Sequence, residues 1–515
     1  MVEGVIERSG VVPFIESRIA EYQVKSGRPR ELSVKALLVA LLAGAREGNL
    51  YLIGVPGFLN SLNARDRHRL GVGRTGRVTR RQVESLYGLI CRALTSEGDY
   101  KYVGFDEVCQ RLLSASADPD IRARRDIAID ATSIASWGTN RTSRRAAKKN
   151  NQTSNDNESA KAKKRNSKTT KRETKPMTDP DARWRGKGEN AWRRPVFGYD
   201  LTVAVTVPDR AGRSIPLAAT SMRFRPAGAE VLPMALAVAL DTATQRGGLD
   251  DVLADREYTQ RLDGLDFILP LRALGAEPIF QLKSTQQGCT GTQRGSLVVD
   301  GQPYSQSLPA SLQNLRMPAV NAPLKVLAEY QRKIGLREQY RLIPHGSRKP
   351  DGSQVYQCPA SAGKLRCPLV ASSQLLALGT MPAFPTNHSP MPGTVCTKKF
   401  TTFAASELPL SQREQYGSLE WFMSMNRRNR VEGFFGNLKD QARENVNRGV
   451  IRVMGLVKTG LLVALAVTSL NLRLSEKWSG DSAPVPSKKT GRPRRVGVAA
   501  YSRAFAIATT GPPAS

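Results

Sequence analysis

Cysteine is scarce in this chain, six residues in 515, which excludes a disulfide framework as the basis of the fold and fits a reducing compartment. Long apolar runs are lacking too. The most apolar stretch, 451–472, is interrupted by Arg452 and Lys458, and its clean run 459–470 falls short of the roughly 20 residues that cross a bilayer. It reads as a buried helix, and no membrane partner is expected. The first twenty residues carry Glu3, Glu7 and Glu16 and no apolar core, so a secretory signal is not expected and the chain is assigned to the cytoplasm. Acidic residues are the third deficit: 45 Asp plus Glu against 77 Lys plus Arg leave a net charge of +32. That excess is beyond what solubility needs and points to a polyanionic partner. Nucleic acid is favoured over an anionic membrane, because the cations are spread along the whole chain instead of lining one amphipathic helix.

The length allows about three domains. Residues 1–115 show helical spacing of apolar residues in 32–42 and 83–94, with Arg65, Arg67, His68, Arg69, Arg74, Arg77, Arg80 and Arg81 between them. A helical DNA-binding domain would present its charge in this way. From Arg124 onward the pattern becomes short apolar runs with β-branched residues. These predict strands over 126–130, 197–207, 214–224, 251–255 and 278–283, with a helix over 229–244. The fold class expected is α/β with a mixed sheet, its core formed by 120–284 and 411–476. Two inserts interrupt that core. Residues 138–190 are basic and poor in apolar side chains, a composition expected to be disordered in isolation. Residues 285–410 carry turn signals at Asp300-Gly301 and Asp351-Gly352 and predict a β-rich subdomain. Helices are expected again from about Gln412, and 477–515 form a basic, flexible tail.

Two aspartates, Asp130 and Asp255, end predicted strands, where side chains leave a sheet and point into a shared crevice. Paired carboxylates there suit magnesium, a hard cation that takes one or two carboxylates plus water and phosphate oxygens. Each aspartate also has a plainer reading, Asp130 as the cap of a turn and Asp255 as a surface ion pair with Arg256. Asp126 and Glu257 are the nearest competitors. The segment 427–439 is the sharpest signal. On a helix, Val431, Phe434, Phe435 and Leu438 make one apolar face, and Arg428, Glu432 and Lys439, at i, i+4 and i+11, form a polar stripe along its border.

This order of strand-Asp, strand-Asp and helix-Glu resembles the ribonuclease H-like catalytic core of DDE transposases. The surroundings of Glu432 resemble the tyrosine, arginine, glutamate, lysine signature of a large group of bacterial insertion-sequence transposases, in which an Arg stands four residues before the Glu and a Lys seven after it. Arg428 and Lys439 match; Met425 stands where the signature has Tyr, so no role of that Tyr is carried over. The resemblance covers 120–475, including the β-rich insertion, and is weaker in the helical amino-terminal region. It implies a transposase that binds the terminal inverted repeats of its element, cleaves at the ends and joins them to target DNA. Asp130, Asp255 and Glu432 would hold two magnesium or manganese ions about 4 Å apart for in-line attack on a phosphodiester. Arg428 and Lys439, with the adjacent Arg427 and Arg430, would contact DNA. A homodimer in the DNA complex, associated with the nucleoid, follows from the same resemblance. Two alternatives stay open: a ribonuclease H-like nuclease without strand transfer, and a DNA-binding relic that has lost catalysis.

Weaker signals remain. Cys358, Cys367, His388 and Cys396 form a candidate structural zinc set, but their spacing is irregular and small buried thiols are the competing reading. The stretches 27–30 and 491–494 both read Gly-Arg-Pro-Arg, the core of an AT-hook, or else basic segments with nonspecific phosphate contacts. Trp137, Trp184 and Trp192 are candidates for stacking on an unpaired base, with core packing as the alternative.

Overall fold

A strand whose side chains are buried at every position but the first has to be covered on both faces. That strand is β3 (Val196–Thr206), and it organises the sheet. The computed structural model describes residues 1–22, 30–73, 76–95, 101–118, 121, 123–138, 178–186, 195–259, 265–319, 321–349, 351–377, 392 and 394–480. β3 pairs antiparallel with β1 (Ile127–Ala135) on one side and β4 (Ala219–Pro226) on the other, and the short β2 (Arg183–Arg185) pairs with its first residues. β5 (Asp251–Ala254) and β6 (Glu277–Phe280) then extend the sheet parallel to β1. The order is β2-β3-β1-β5-β6 with β4 on β3, a mixed sheet in an α/β chain.

Helices cover both faces. Before the sheet come α1 (Val2–Arg8), α2 (Val11–Tyr22), α3 (Val34–Arg46), α4 (Val55–Ser61), α5 (Ala64–Arg69), α6 (Arg80–Ala93) and α7 (Val103–Ser116). The parallel strands are entered through α8 (Val231–Arg246) and α9 (Leu265–Ala273), the helical crossovers that parallel pairing demands. After the insertion, which contains α10 (Leu324–Glu338), follow α11 (Leu419–Asn426), α12 (Asn429–Lys439) and α13 (Leu456–Gly480). Side chains alternate along a strand, so parity tells the faces apart. Thr202 of β3 meets Met234 of α8, while Gly460 of α13 lies against Phe224 of β4. Phe224 in turn packs on Tyr199 of β3, an odd-numbered residue like Val203, the register partner of Asp130. Asp130 therefore faces α12 and α13, away from α8.

α13 is, among the described residues, the one helix long and apolar enough to cross a membrane, yet 89% of its most apolar window is buried inside the protein. It is a core helix, longer than the clean apolar run suggests. It packs on α3, α7 and β4, so the amino-terminal helices and the sheet share one continuous hydrophobic core. Asn471 fastens it, bonding both the N–H and the carbonyl of Ala219 and the hydroxyl of Ser116. At its other end the N–H of Leu456 donates to Asp181 at 2.9 Å and that of Gly455 to the buried Asp179 at 3.2 Å, carboxylates where a helix favours negative charge. Asp179 also accepts from Tyr199 and Ser136. The carboxyl-terminal end of the basic insert is thus tied to the sheet; 139–177 and Trp192 lie outside the described residues, as do 27–29 and 491–494 of the two AT-hook-like stretches.

Three expectations need correction in detail. β1 does not stop at Asp130 but runs on to Ala135, because Thr132 and Ser133, which read like a turn, stay in unbroken register with Leu201 and Asp200. β4 begins only at Ala219, after Pro216, which has no N–H to give a ladder. No helix starts at Gln412. That side chain instead accepts from the Phe280 N–H and donates to its carbonyl, capping the edge of β6, and α11 begins later with Ser418 as its cap.

The insertion is mixed and not predominantly β: two small sheets accompany α10, its longest element. It holds β7 (Cys289–Gln293), β8 (Ser296–Val299) and β9 (Gln302–Tyr304) in one sheet, and β10 (Ile343–His345), β11 (Gln354–Gln357) and β12 (Phe400–Phe403) in another, over a hydrophobic core of their own. β8 and β9 are joined by Asp300-Gly301, with φ of 48° and 74°, the two left-handed residues that a tight hairpin requires. Asp351-Gly352 falls in the β10–β11 connection.

A methyl group at Gly460 would sit 2.5 Å from the Phe105 ring and 2.9 Å from that of Phe224. Alanine gains about 1 kcal/mol of helix propensity over glycine, whereas overpacking costs about 1–3 kcal/mol. Gly460→Ala is therefore expected to lower the unfolding free energy in urea, despite the better helix former; a gain in stability would mean that α13 sits farther from α7 and β4.

Candidate active site

β1 and β5 are parallel neighbours with Ile127 opposite Val252 and Ala128 opposite Leu253. Continued past the paired residues, the same offset matches Asp126 with Asp251 and Asp130 with Asp255, and shared arginines confirm that each pair is close. The two strand regions therefore carry two rungs of paired acids, four residues or about 13 Å apart, and equal parity puts all four on one face. Carboxylates so placed repel one another unless cations lie between them.

α11 and α12 supply those cations. At their junction, Arg427 and Arg428 diverge. Arg427 reaches the lower rung, 3.2 Å from Asp126 and in close ion-pair contact with Asp251, and also donates to the Pro208 carbonyl at 3.0 Å. Arg428 reaches the upper rung. One of its terminal nitrogens lies 3.1 Å from Asp130 and 3.3 Å from Asp255, and the other lies 3.2 Å from Glu432. The three acids singled out in the sequence, one inside β1, one just after β5 and one on α12, thus converge on a single guanidinium. The two aspartate oxygens can be no farther apart than the sum of their distances to the shared nitrogen.

Helix α12 is held there by its apolar face: Val431, Phe434, Phe435 and Leu438 are all buried. Met425, in the place of the signature's Tyr, is buried in the core as well. Lys439 donates to the Thr132 hydroxyl at 2.6 Å and the Ser133 carbonyl at 3.1 Å, which ties the far end of the polar stripe to β1. Arg427 and Arg430, expected on DNA, are turned inward instead. Arg427 spans the buried acids, and Arg430 donates to the Ile215 carbonyl at 2.6 Å while burial lowers its pKa. Their stems leave a helix packed on a sheet, so the nearest internal acid or carbonyl captures each head. The lower rung was missed in the sequence, although its signal was there: each strand repeats Asp-x-x-x-Asp, and two adjacent arginines face the repeats.

The competing acids have their own cation partners. Asp126 belongs to Arg427. Glu257 is held by Arg185, which also grips the fully buried Asp200. Tyr258 is buried beside Asp130 and Glu257, its hydroxyl is without a hydrogen-bond partner, and burial followed by the charge of Asp130 raises its pKa. Burial and the neighbouring Asp251 push the Asp126 carboxyl up to about 6, outweighing Arg427, which divides its charge between two acids and holds Asp251 closer.

The donor set suits a hard divalent cation: three carboxylates, with no thiol or imidazole, share one positive group whose buried Nε has no hydrogen-bond partner. Among the described residues no three acidic, His or Cys side chains close directly around a common point, since the guanidinium stands between the acids. In the insertion, Cys358 and Cys367 are buried, and the Cys396 thiol is pushed up to about 11 by burial and by those two neighbours. His388 lies outside the described residues, and the cysteines are free thiols. On the surface, the Arg452 guanidinium lies over the rings of Tyr51 and Trp137, while Trp184 packs on Phe197. Arg65, His68, Arg69, Arg77, Arg80 and Arg81 are exposed along α5 and the start of α6. No protein-family model matches the chain, and no curated protein matches it either.

Arg427→Ala is expected to cost about 3 kcal/mol in unfolding free energy, since it removes the cation of Asp126 and leaves Asp251 to Arg210 and Arg413; an unchanged value in denaturant titration would return Arg427 to the role of a DNA contact. Asp126 binds its proton more tightly folded than unfolded, so the stability that protonation confers is complete below about pH 4 and is lost as pH rises through about 6. Asp126→Asn, which cannot ionise, is expected to raise Tm at pH 7.5, with the gain shrinking toward pH 5. A gain independent of pH would rule out this titration.

Proposed function

We propose that this chain is a DNA transposase of the DDE class, with Asp130, Asp255 and Glu432 as its catalytic acids. The observation that carries the reading is their convergence on one guanidinium from two parallel strand regions and an anchored helix. Three antiparallel strands followed by helix-linked parallel strands support reading the core as ribonuclease H-like. The net charge of +32 and the exposed cations of α5 and α6 support terminal inverted repeats and target DNA as partners, with the amino-terminal helices as the DNA-binding part. A homodimer would bring two element ends together, and a DNA-bound protein of this kind would be nucleoid-associated.

Magnesium or manganese, when bound, would supply a polarised phosphate, an activated water or 3′-hydroxyl, and a stabilised leaving oxygen. Asp130, Asp255 and Glu432 would hold such ions, all three lying within reach of the Arg428 guanidinium. Arg428 and Lys439, on the same stripe of α12, would position the DNA backbone so that the 3′-oxygen, the phosphorus and the leaving oxygen align. Their charges favour the phosphate over water as occupant of the site.

The test uses duplexes cut from the DNA flanking the coding region, with free 3′-hydroxyl ends, a supercoiled target plasmid and Mn2+. Joined product is expected from the wild type, and Glu432→Gln is expected to lower it more than about 100-fold while leaving duplex binding in place. Cleavage without joining would favour the nuclease, and binding without either would favour the relic. Metal-dependent joining that survives Glu432→Gln would overturn the catalytic assignment.

A further inference from the structure

Arg428 does more in this structure than line a DNA path. It stands between the three acids, largely buried, and shares one nitrogen between two aspartates. A guanidinium cannot shed its charge at any pH a protein tolerates, so it can leave this position only by moving. Its own solvation there is incomplete, because the buried Nε has no hydrogen-bond partner. One positive charge also faces three carboxylates. The stripe that carries it continues outward through Glu432, Gly436 and Lys439, and a side chain added at Gly436 or the adjacent Gly433 would meet nothing within 4 Å. Two glycines in so short a helix work against its formation, and their bare surface admits a phosphate backbone close to the acids. Arg427, anchored on the lower rung, keeps the helix junction in place whether Arg428 points in or out.

We propose that Arg428 is a counter-ion lock: in the DNA-free protein its guanidinium holds the place of a divalent cation, and the lock opens when a DNA phosphate takes the guanidinium. This rests on the reading of the three acids as a metal site. Its consequence is positive coupling, in which DNA raises affinity for metal and metal raises affinity for DNA by the same factor. A planar fork that can grip either carboxylates or phosphate is suited to such an exchange.

The full chain is titrated with Mn2+, and the free aquo ion is followed by electron paramagnetic resonance, with and without a short mixed-sequence duplex. Arg428→Gln is expected to bind Mn2+ at least about tenfold more tightly than wild type without DNA, since a cation among the carboxylates has been removed. The duplex is expected to tighten the wild type by about tenfold and the variant by less than about threefold. Adding Asp130→Asn to Arg428→Gln is expected to abolish the gain. If Arg428→Gln does not fold, Arg428→Lys, whose single ammonium cannot bridge three acids in the same way, is expected to bind Mn2+ at least about threefold more tightly than wild type. Affinities within about twofold of wild type for whichever variant folds, or a wild type indifferent to the duplex, would overturn the lock. The readout involves no cleavage, so its failure leaves the transposase reading to stand or fall on the Glu432→Gln assay.

Discussion

Two adjacent arginines between two rungs of aspartates are the constraint on which the rest of the site depends. The parallel pairing of Ile127 with Val252 and Ala128 with Leu253 brings Asp126 near Asp251 at one end, and Asp130 and Asp255 share one Arg428 nitrogen at the other. Acids so placed on interior strands need cations over them; Arg427 and Arg428 provide them from one helix junction, and Arg210 adds another on Asp251. The docking of α12 is therefore set twice: by its apolar face on the sheet and by charge at its first turn. Apolar contact alone would permit sliding. Two guanidiniums reaching rungs about 13 Å apart fix the register as well.

Much of this was legible in the residues. The buried face of α12 followed from its spacing, the strands around 197–207 and 251–255 from their β-branched runs, and the Asp300-Gly301 hairpin from the dihedral angles only such a pair adopts readily. What was not legible depended on partners distant in sequence. Thr132 and Ser133 look like a turn until β3 is laid beside them. Arg427, Arg428 and Arg430 look alike on a helix, and only tertiary packing sends one to buried acids, one to the exposed end of the site and one to a carbonyl. Gln412 has helix propensity, but two hydrogen bonds to the backbone of Phe280 outweigh it.

The same long-range logic governs the rest of the core. The apolar stretch near the end of the chain is long enough as a helix to span a bilayer, yet it fills the space between the amino-terminal helices and β4, and Asn471 turns it into a fastening for the strand end. Asp179, at the exit of the basic insert, meets the start of that helix and the Tyr199 hydroxyl together.

The rungs differ in depth mainly on the β5 side, since Asp126 and Asp130 are 12% and 18% exposed. The side chain of Asp251 is 2% exposed and that of Asp255 is 35% exposed, though they are four residues apart, and Glu432 is 59% exposed. At the lower rung, burial makes an unpaired charge so costly that the cation must stay, and the proton affinity of Asp126 rises in response. At the upper rung Asp255 and Glu432 are open to solvent, so water screens their charges more than it does those of the lower rung. One Asp-x-x-x-Asp repeat, read twice in parallel strand regions, therefore yields a buried electrostatic clamp at one end and a more exposed one at the other.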